Sequence, residues 1–308
     1  MKYFENQSTK KQERKKNILQ AVSTLITNAN IKGFWTGKIF TGKTKTVCVP
    51  GLNCYSCPGA IGSCPIGSLQ AVIGSKKFSM SYYVFGLIIL IGALFGRLVC
   101  GLMCPFGFVQ DLLYKIPTKK FKIPKVIDKP LRYAKYLILF VFVILLPMLL
   151  TNPFGLGAPY FCKLICPSGT LGGALPLLIK NKELRSTIGV LFFWKLSILI
   201  VIVLLSIFTY RPFCKYICPL GALYSFFNKI GFYKMEFHNE KCVGCKLCER
   251  ACKMDIDVRK TPNSLECIRC GACTSACSHE ALTTSFAGFA GLQKKKSELD
   301  GRGVENVE

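Results

Sequence analysis

Residues 188–221 read IGVLFFWKLSILIVIVLLSIFTYRPFCKYICPLG, an apolar run that ends within a few residues of the motif C-x3-C-P-x-G. From Ile188 to Phe208 the run carries one charge, Lys195, and is long enough to cross a bilayer as a helix. Cys214 and Cys218 then emerge together at its end. Tyr82 to Val99 and Tyr133 to Leu150 are two further runs of this kind. A weaker candidate begins at Asn17, where Ile18, Leu19, Val22, Leu25 and Ile26 are interrupted by Ser23, Thr24, Thr27, Asn28 and Asn30. By itself it reads as interfacial, and as a crossing only if Ile31 to Phe40 complete it. The sequence thus predicts an α-helical integral membrane protein with three to four transmembrane helices. A chain of 308 residues that is 51% hydrophobic and 19% charged agrees with this.

Forty-one Lys and Arg against sixteen Asp and Glu give a net charge of +25. In a soluble chain that excess would suggest nucleic acid, but here basic residues flank membrane segments, so lipid is the expected neighbour and no nucleic acid is. Six Lys or Arg lie in 1–17 and seven in 105–132 (Lys115, Lys119, Lys120, Lys122, Lys125, Lys129, Arg132), against four in 151–187. The positive-inside rule therefore assigns 105–132 to the cytoplasm. Crossing parity sends everything after Phe208 to the same side and 151–187 to the other. Lys32, Lys38, Lys43, Lys45, Lys76 and Lys77 would then lie outside or near the outer interface, against the rule. Residues 1–16 read as a cytoplasmic basic tail, with neither an apolar h-region nor an A-x-A site for cleavage.

The motif after Phe208 is one of four. Cys64-Pro65-Ile66-Gly67, Cys104-Pro105-Phe106-Gly107, Cys166-Pro167-Ser168-Gly169 and Cys218-Pro219-Leu220-Gly221 repeat C-P-x-G, and Cys100, Cys162 and Cys214 precede three of them by four residues. Phe161 to Pro167 and Phe213 to Pro219 differ at one position in seven. Pro suits the first turn of a helix, so each final Cys is expected at a helix start, where free N–H groups favour a thiolate. The Gly lets backbone approach a bulky group. Each pair offers two ligands, so two repeats must cooperate for four. Parity brings Cys100 and Cys104 together with Cys214 and Cys218. On the other side lie Cys48, Cys54, Cys57, Cys64, Cys162 and Cys166, two more than one four-thiolate site needs. Repeat equivalence favours Cys57, Cys64, Cys162 and Cys166, with Cys54 a close substitute.

Beyond the membrane segments, Cys242, Cys245, Cys248, Cys252 and Cys267, Cys270, Cys273, Cys277 form two copies of C-x2-C-x2-C-x3-C. In that spacing three thiolates of one loop hold a [4Fe-4S] cubane whose fourth ligand comes from the other loop. Cys242, Cys245, Cys248 and Cys277 are one expected set, and Cys267, Cys270, Cys273 and Cys252 the other. Residues 236–285 resemble the bacterial two-cluster ferredoxin, an α+β domain, except that Lys253 and Ser278 replace the Pro after the last Cys. Zinc is the alternative, but its four-thiolate sites pair two C-x2-C knuckles across a longer stretch. Eighteen Cys at short spacings suit clusters better than a disulfide lattice, and two His without C-x-x-C-H exclude most haem arrangements.

From Asn17 to Leu282, helices ending in C-x3-C-P followed by a two-cluster ferredoxin are similar to the membrane polyferredoxins that include NapH-type quinol dehydrogenase subunits and NosR-type proteins. The resemblance implies single-electron transfer through [4Fe-4S] clusters, two in residues 236–285 and two in the membrane domain, 17–235. It also implies a redox partner (a reductase, flavoprotein or ferredoxin) and a quinone as a possible further cofactor. A third C-x3-C-P and the segment Cys48 to Pro58 depart from the simplest family pattern. A redox-sensing or assembly factor for a partner reductase is the competing reading.

Three remaining features carry less. Gly37 to Thr44 matches G-x4-G-K-[ST] without the strand and helix that a phosphate loop needs. Lys195 is expected to snorkel to the interface. Residues 286–308, with Lys294, Lys295 and Lys296, read as a flexible tail. No Ser/His/Asp, Cys/His or paired-carboxylate arrangement suggests hydrolysis.

Overall fold

The structure is a computed structural model that describes residues 6–75, 82–153 and 156–286. Lys76, Lys77 and the chain from residue 287 onward, including Lys294 to Lys296, lie outside the described residues. Helices dominate, and Val126–Leu149 and Val190–Phe208 are long and apolar enough to cross a membrane. Their side chains largely face outward, with Val190 87% and Leu137 65% exposed. An apolar surface of that extent is costly in water and fits lipid. The third expected crossing is shorter: Tyr82–Phe95 has 14 residues, about 21 Å of helix. It stops there because Gly96 takes the left-handed conformation, φ +54°, that ends helices, and because Arg97 turns inward to full burial. Within the Val126–Leu149 helix, Leu139–Leu145 is π-helical. Pro147 follows it and cannot supply the next i→i−4 donor, the usual cause of such a bulge.

The first segment departs most from expectation. Its helix, Gln7–Thr27, starts ten residues before Asn17, inside the stretch read as a basic tail. Asn6 caps it, its Oδ1 accepting Thr9 N–H at 2.8 Å while Thr9 Oγ1 accepts Asn6 N–H at 2.8 Å. Propensity alone does not explain this start, because tertiary partners supply it. Gln12 Nε2 donates to Cys270 O at 3.3 Å, Lys253 Nζ meets Glu13 at 2.7 Å, and Lys16 Nζ meets Asp111 at 2.8 Å. Ile31 to Phe40 do not extend the helix, since Asn28 closes it and Ile31–Thr36 forms a separate helix. Twenty-one residues still give about 31 Å, and the far end reaches Asn53, whose Nδ2 donates to Thr27 O at 3.3 Å.

After the Pro219–Ile230 helix, strand Tyr233–Phe237 pairs antiparallel with Leu282–Phe286, Tyr233 opposite Phe286. Two short helices, Leu247–Ala251 and Ala272–Ala276, lie between the strands in sequence. This unit is held against the same end of the molecule as 105–132. Lys122 meets Asp255 at 3.0 Å, Arg132 donates to Met254 O at 3.0 Å, and Arg269 donates to Phe95 O at 3.0 Å and Asn228 O at 2.9 Å. The two regions that charge counting put on one side thus sit together. Gly101 marks the closest approach, because a Cβ there would stand 2.3 Å from Ile268 O. Gly101→Ala should cost about 1–3 kcal/mol through overpacking against main chain. A thermal melt as high as the parent's would show the two backbones free to part.

Candidate iron-sulfur centres

In the C-terminal unit the two Cys loops are copies down to the backbone. Gly244 and Arg269, Lys246 and Gly271, and Asp255 and Glu280 occupy equivalent places, and all six have positive φ. Left-handed residues at such turns favour a backbone curl that suits an anionic guest, and Arg269 N–H donates to Cys267 Sγ at 3.4 Å. The four non-glycine examples carry strain of about 1–2 kcal/mol each. One cavity is walled by Cys242, Cys245, Cys248 and Cys277, and another by Cys252, Cys267, Cys270 and Cys273. Each takes its fourth Cys from the other loop, as the spacing implies. Cys245 is exposed, so the first set faces outward. The second lies deeper, covered by Gln12, Glu13 and Lys16 of the first helix and by Tyr210. Lys253, standing where Pro is usual, is the residue that anchors this helix through Glu13.

Each C-P-x-G repeat starts a helix with its Cys as the N-cap and Pro in the first turn: Cys64, Cys104, Cys166 and Cys218. Cys104 Sγ accepts Gly107 N–H and Cys218 Sγ accepts Gly221 N–H, both at 3.4 Å. Cys100, Cys104, Cys214 and Cys218 converge in one core, each at most 7% exposed. Burial pushes the Cys214 thiol up to about 11, and Cys104 adds to the rise. Cys218 is raised by burial and by Cys214, Cys100 and Cys104 together. Four thiols that resist ionising beside one another are the donor chemistry that a cationic iron cluster satisfies.

On the far side, Cys54, Cys64, Cys162 and Cys166 wall a common cavity. Burial pushes Cys64 up to about 12 and Cys166 to about 11, with Cys54 adding to both. Cys57, favoured by repeat equivalence, is not in that wall. Its Sγ instead meets Asn28 Oδ1 at 3.6 Å, against Gly172 of the helix that Cys54 Sγ meets at Gly169 and Gly173. Cys48 bonds the Ser63 and Ser68 hydroxyls, at 3.4 Å each. Lys195, near the start of its helix, donates from Nζ to Cys162 O at 3.1 Å and lines the cavity.

Side chains outside the Cys pattern complete both sets. Gln110 Nε2 donates to Cys214 Sγ at 3.1 Å while its Oε1 accepts Phe213 N–H at 3.2 Å. Gln70 does the same at Cys162, 3.3 Å, and Phe161, 3.0 Å. Both Gln stand six residues after a C-P-x-G cysteine, so the repeats pair first with third and second with fourth. Among the described residues, no three Cys, His, Asp or Glu side chains close on a single metal ion, and none of the eighteen thiols is in a disulfide. One tetrahedral zinc needs sulfurs about 3.8 Å apart, whereas ligands of a cubane stand wider. Arg97 Nε, fully buried, donates to nothing among the described residues, a cost of about 1–3 kcal/mol that a cluster sulfur beside it would remove. The residues present fit [4Fe-4S] clusters.

The comparisons with known proteins agree. A 4Fe-4S binding domain family matches residues 80–124 and 191–237, intervals that contain Cys100, Cys104, Cys214 and Cys218. An uncharacterized protein of Methanocaldococcus jannaschii is 36% identical over 206 residues, 65% of this chain and 76% of its own length. YccM of Escherichia coli, named for electron transport, is 26% identical over 222 residues, 69% of this chain and 57% of its own. The regulatory protein NosR of Pseudomonas aeruginosa is 28% identical over 171 residues, 52% of this chain and 21% of its own. No solved structure matches. Fold and thiol sets define an iron-sulfur protein of the ferredoxin type that binds [4Fe-4S] clusters. The chain belongs to the polyferredoxin-like family that these relatives represent.

Proposed function

We propose that this chain is a membrane-embedded electron wire with four clusters, carrying single electrons between a cytoplasmic donor or the quinone pool and a partner across the membrane. The carrying observation is the succession of thiol sets. The first, at Cys245, is exposed, the second and third adjoin where Gly101 meets Ile268, and the fourth lies beside Cys162, near the start of the Val190–Phe208 helix that ends before Cys214. One-electron exchange is what the cubanes supply when bound. The chain does the rest. Cys242, Cys245, Cys248 and Cys277 would present the outermost cluster to a reductase, flavoprotein or ferredoxin. Cys252, Cys267, Cys270 and Cys273 would hold the next under the first helix. Cys100, Cys104, Cys214 and Cys218 would hold a third in a buried core, and Cys54, Cys64, Cys162 and Cys166 a fourth in a cavity where Cys54 and Cys162 are half-buried.

In this reading residues 236–285 are a cytoplasmic two-cluster ferredoxin domain, and the preceding chain from Gln7 is the membrane domain. The basic connection 105–132 at the same end supports that orientation. The kinship with YccM, named for electron transport, supports electron transfer to a redox partner. Anaerobically purified protein should contain about sixteen irons with matching sulfide, from four cubanes. About eight irons would leave a two-cluster ferredoxin on a structural membrane anchor and end the wire.

A further inference from the structure

Two buried ion triads flank Cys100, Cys104, Cys214 and Cys218, and their arginines hold equivalent places. Arg97 stands three residues before Cys100 and reaches across to the other repeat, where Nη2 donates to Cys214 O at 3.2 Å. Arg211 stands three residues before Cys214 and reaches back, Nη1 donating to Cys100 O at 2.6 Å. Both are fully buried. Each lies over the Gly of the opposite C-P-x-G, where a Cβ at Gly221 would meet Arg97 Nη2 at 3.4 Å and one at Gly107 would meet Arg211 Cζ at 3.4 Å. Each guanidinium is then bound by a carboxylate, and each carboxylate by a buried lysine. Arg97 pairs with Glu266 at 3.0 Å, whose Oε2 takes Lys135 Nζ at 2.6 Å. Arg211 pairs with Asp111 at 2.6 Å, which takes Lys16 Nζ at 2.8 Å.

A neutral pair would suffice to bury an arginine, and pairing alone gives no reason for the second cation. With it, each triad keeps one surplus positive charge in a low-dielectric interior where such charge is weakly screened. A cubane held by four thiolates carries about two negative charges when oxidised and one more when reduced. We propose that the Arg97–Glu266–Lys135 and Arg211–Asp111–Lys16 triads are positioning groups that raise the reduction potential of the cluster at Cys100, Cys104, Cys214 and Cys218 through their surplus charge. The inference rests on the assignment of those four ligands. Glu266 also immediately precedes Cys267, so one triad belongs in part to the neighbouring cluster loop. The potential is thereby tied to the docking of the C-terminal unit.

The test is a redox titration, by electron paramagnetic resonance, of the signal that Cys104→Ala removes, with iron content measured alongside. Lys135→Met leaves every Arg97 contact in place and cancels one surplus charge. It should lower the midpoint at least tenfold in equilibrium constant, about 59 mV for one electron. Arg97→Gln should do the same, while Arg97→Lys and the double change Arg97→Gln with Glu266→Gln, which preserve the net charge, should stay near the parent. Signals from the two C-terminal clusters should move less in all of them. A Lys135→Met midpoint equal to the parent's overturns the proposal, as does a double variant that falls as far as Arg97→Gln. If Cys104→Ala removes no signal, the ligand assignment fails instead, and the two failures are separable.

Discussion

Replacing Cys104 or Cys218 by Ala should abolish one and the same cluster, and the double variant should lose nothing more. The iron content should fall from about sixteen to about twelve in all three proteins. The two residues lie 114 positions apart in the chain, so a shared loss is not expected from local unfolding. It follows because both cap helices whose first turns face one buried core, where Cys218 lies close enough to Cys100, Cys104 and Cys214 for them to add to the rise that burial causes. Either change leaves three thiolates and an iron without a protein ligand, and residues that act on one unit do not add. Cys166→Ala should remove a different cluster, leave the signals of the other three, and stop electron delivery across the membrane. Separate signals lost from Cys104→Ala and Cys218→Ala would mean that the second and fourth repeats do not meet. A common signal lost from Cys104→Ala and Cys166→Ala would mean that the four repeats converge on one site.

What could be read from the sequence was what rests on covalent spacing. The helix starts at all four C-P-x-G prolines need only local geometry and recur in the fold, and each C-terminal cavity is walled by three Cys of one loop and one of the other. Reading failed where a residue's state depends on distant partners. Lys16 reads as a tail charge until Asp111 and Tyr210, which its Nζ meets at 2.8 and 3.1 Å, make burial favourable. Tyr82 to Val99 reads as one apolar run because hydropathy does not register that Gly96 turns left-handed. The triad arginines did have a signal. Arg97 and Arg211 hold the same place before their Cys pairs, but a motif begun at the first Cys leaves them out. Gln70 and Gln110 likewise repeat at one spacing that the other two copies lack, holding Gly172 and Tyr224 instead. That asymmetry encodes which repeats pair, since each Gln serves the cysteine of a copy without one.

The choice between Cys54 and Cys57 is the place where geometry and repeat logic part, and single substitutions separate them. Cys57→Ala should keep about sixteen irons, whereas Cys54→Ala should fall to about twelve and lose the signal that Cys166→Ala loses. The physical ground is placement. Cβ atoms at Gly169 and Gly173, beside Cys166, would stand 3.7 and 3.5 Å from Cys54 Sγ, and Cys54 also acts on Cys64 and Cys162. Cys57 is influenced by Cys54 among the thiols and by Lys45, with burial as the main cause of its raised pKa. Cys54 stands ten residues before Cys64 where the other repeats place their partner four before, so the first repeat reaches its second ligand through a loop instead of one helical turn. That loop, from Asn53 to Ser63, is tied to the first helix by Asn53 Nδ2 to Thr27 O and by Ile61 N–H to Thr27 O. Loss of iron in Cys57→Ala with full iron in Cys54→Ala would show the loop turned the other way, with Cys57 taking the ligand position and Cys54 facing Asn28.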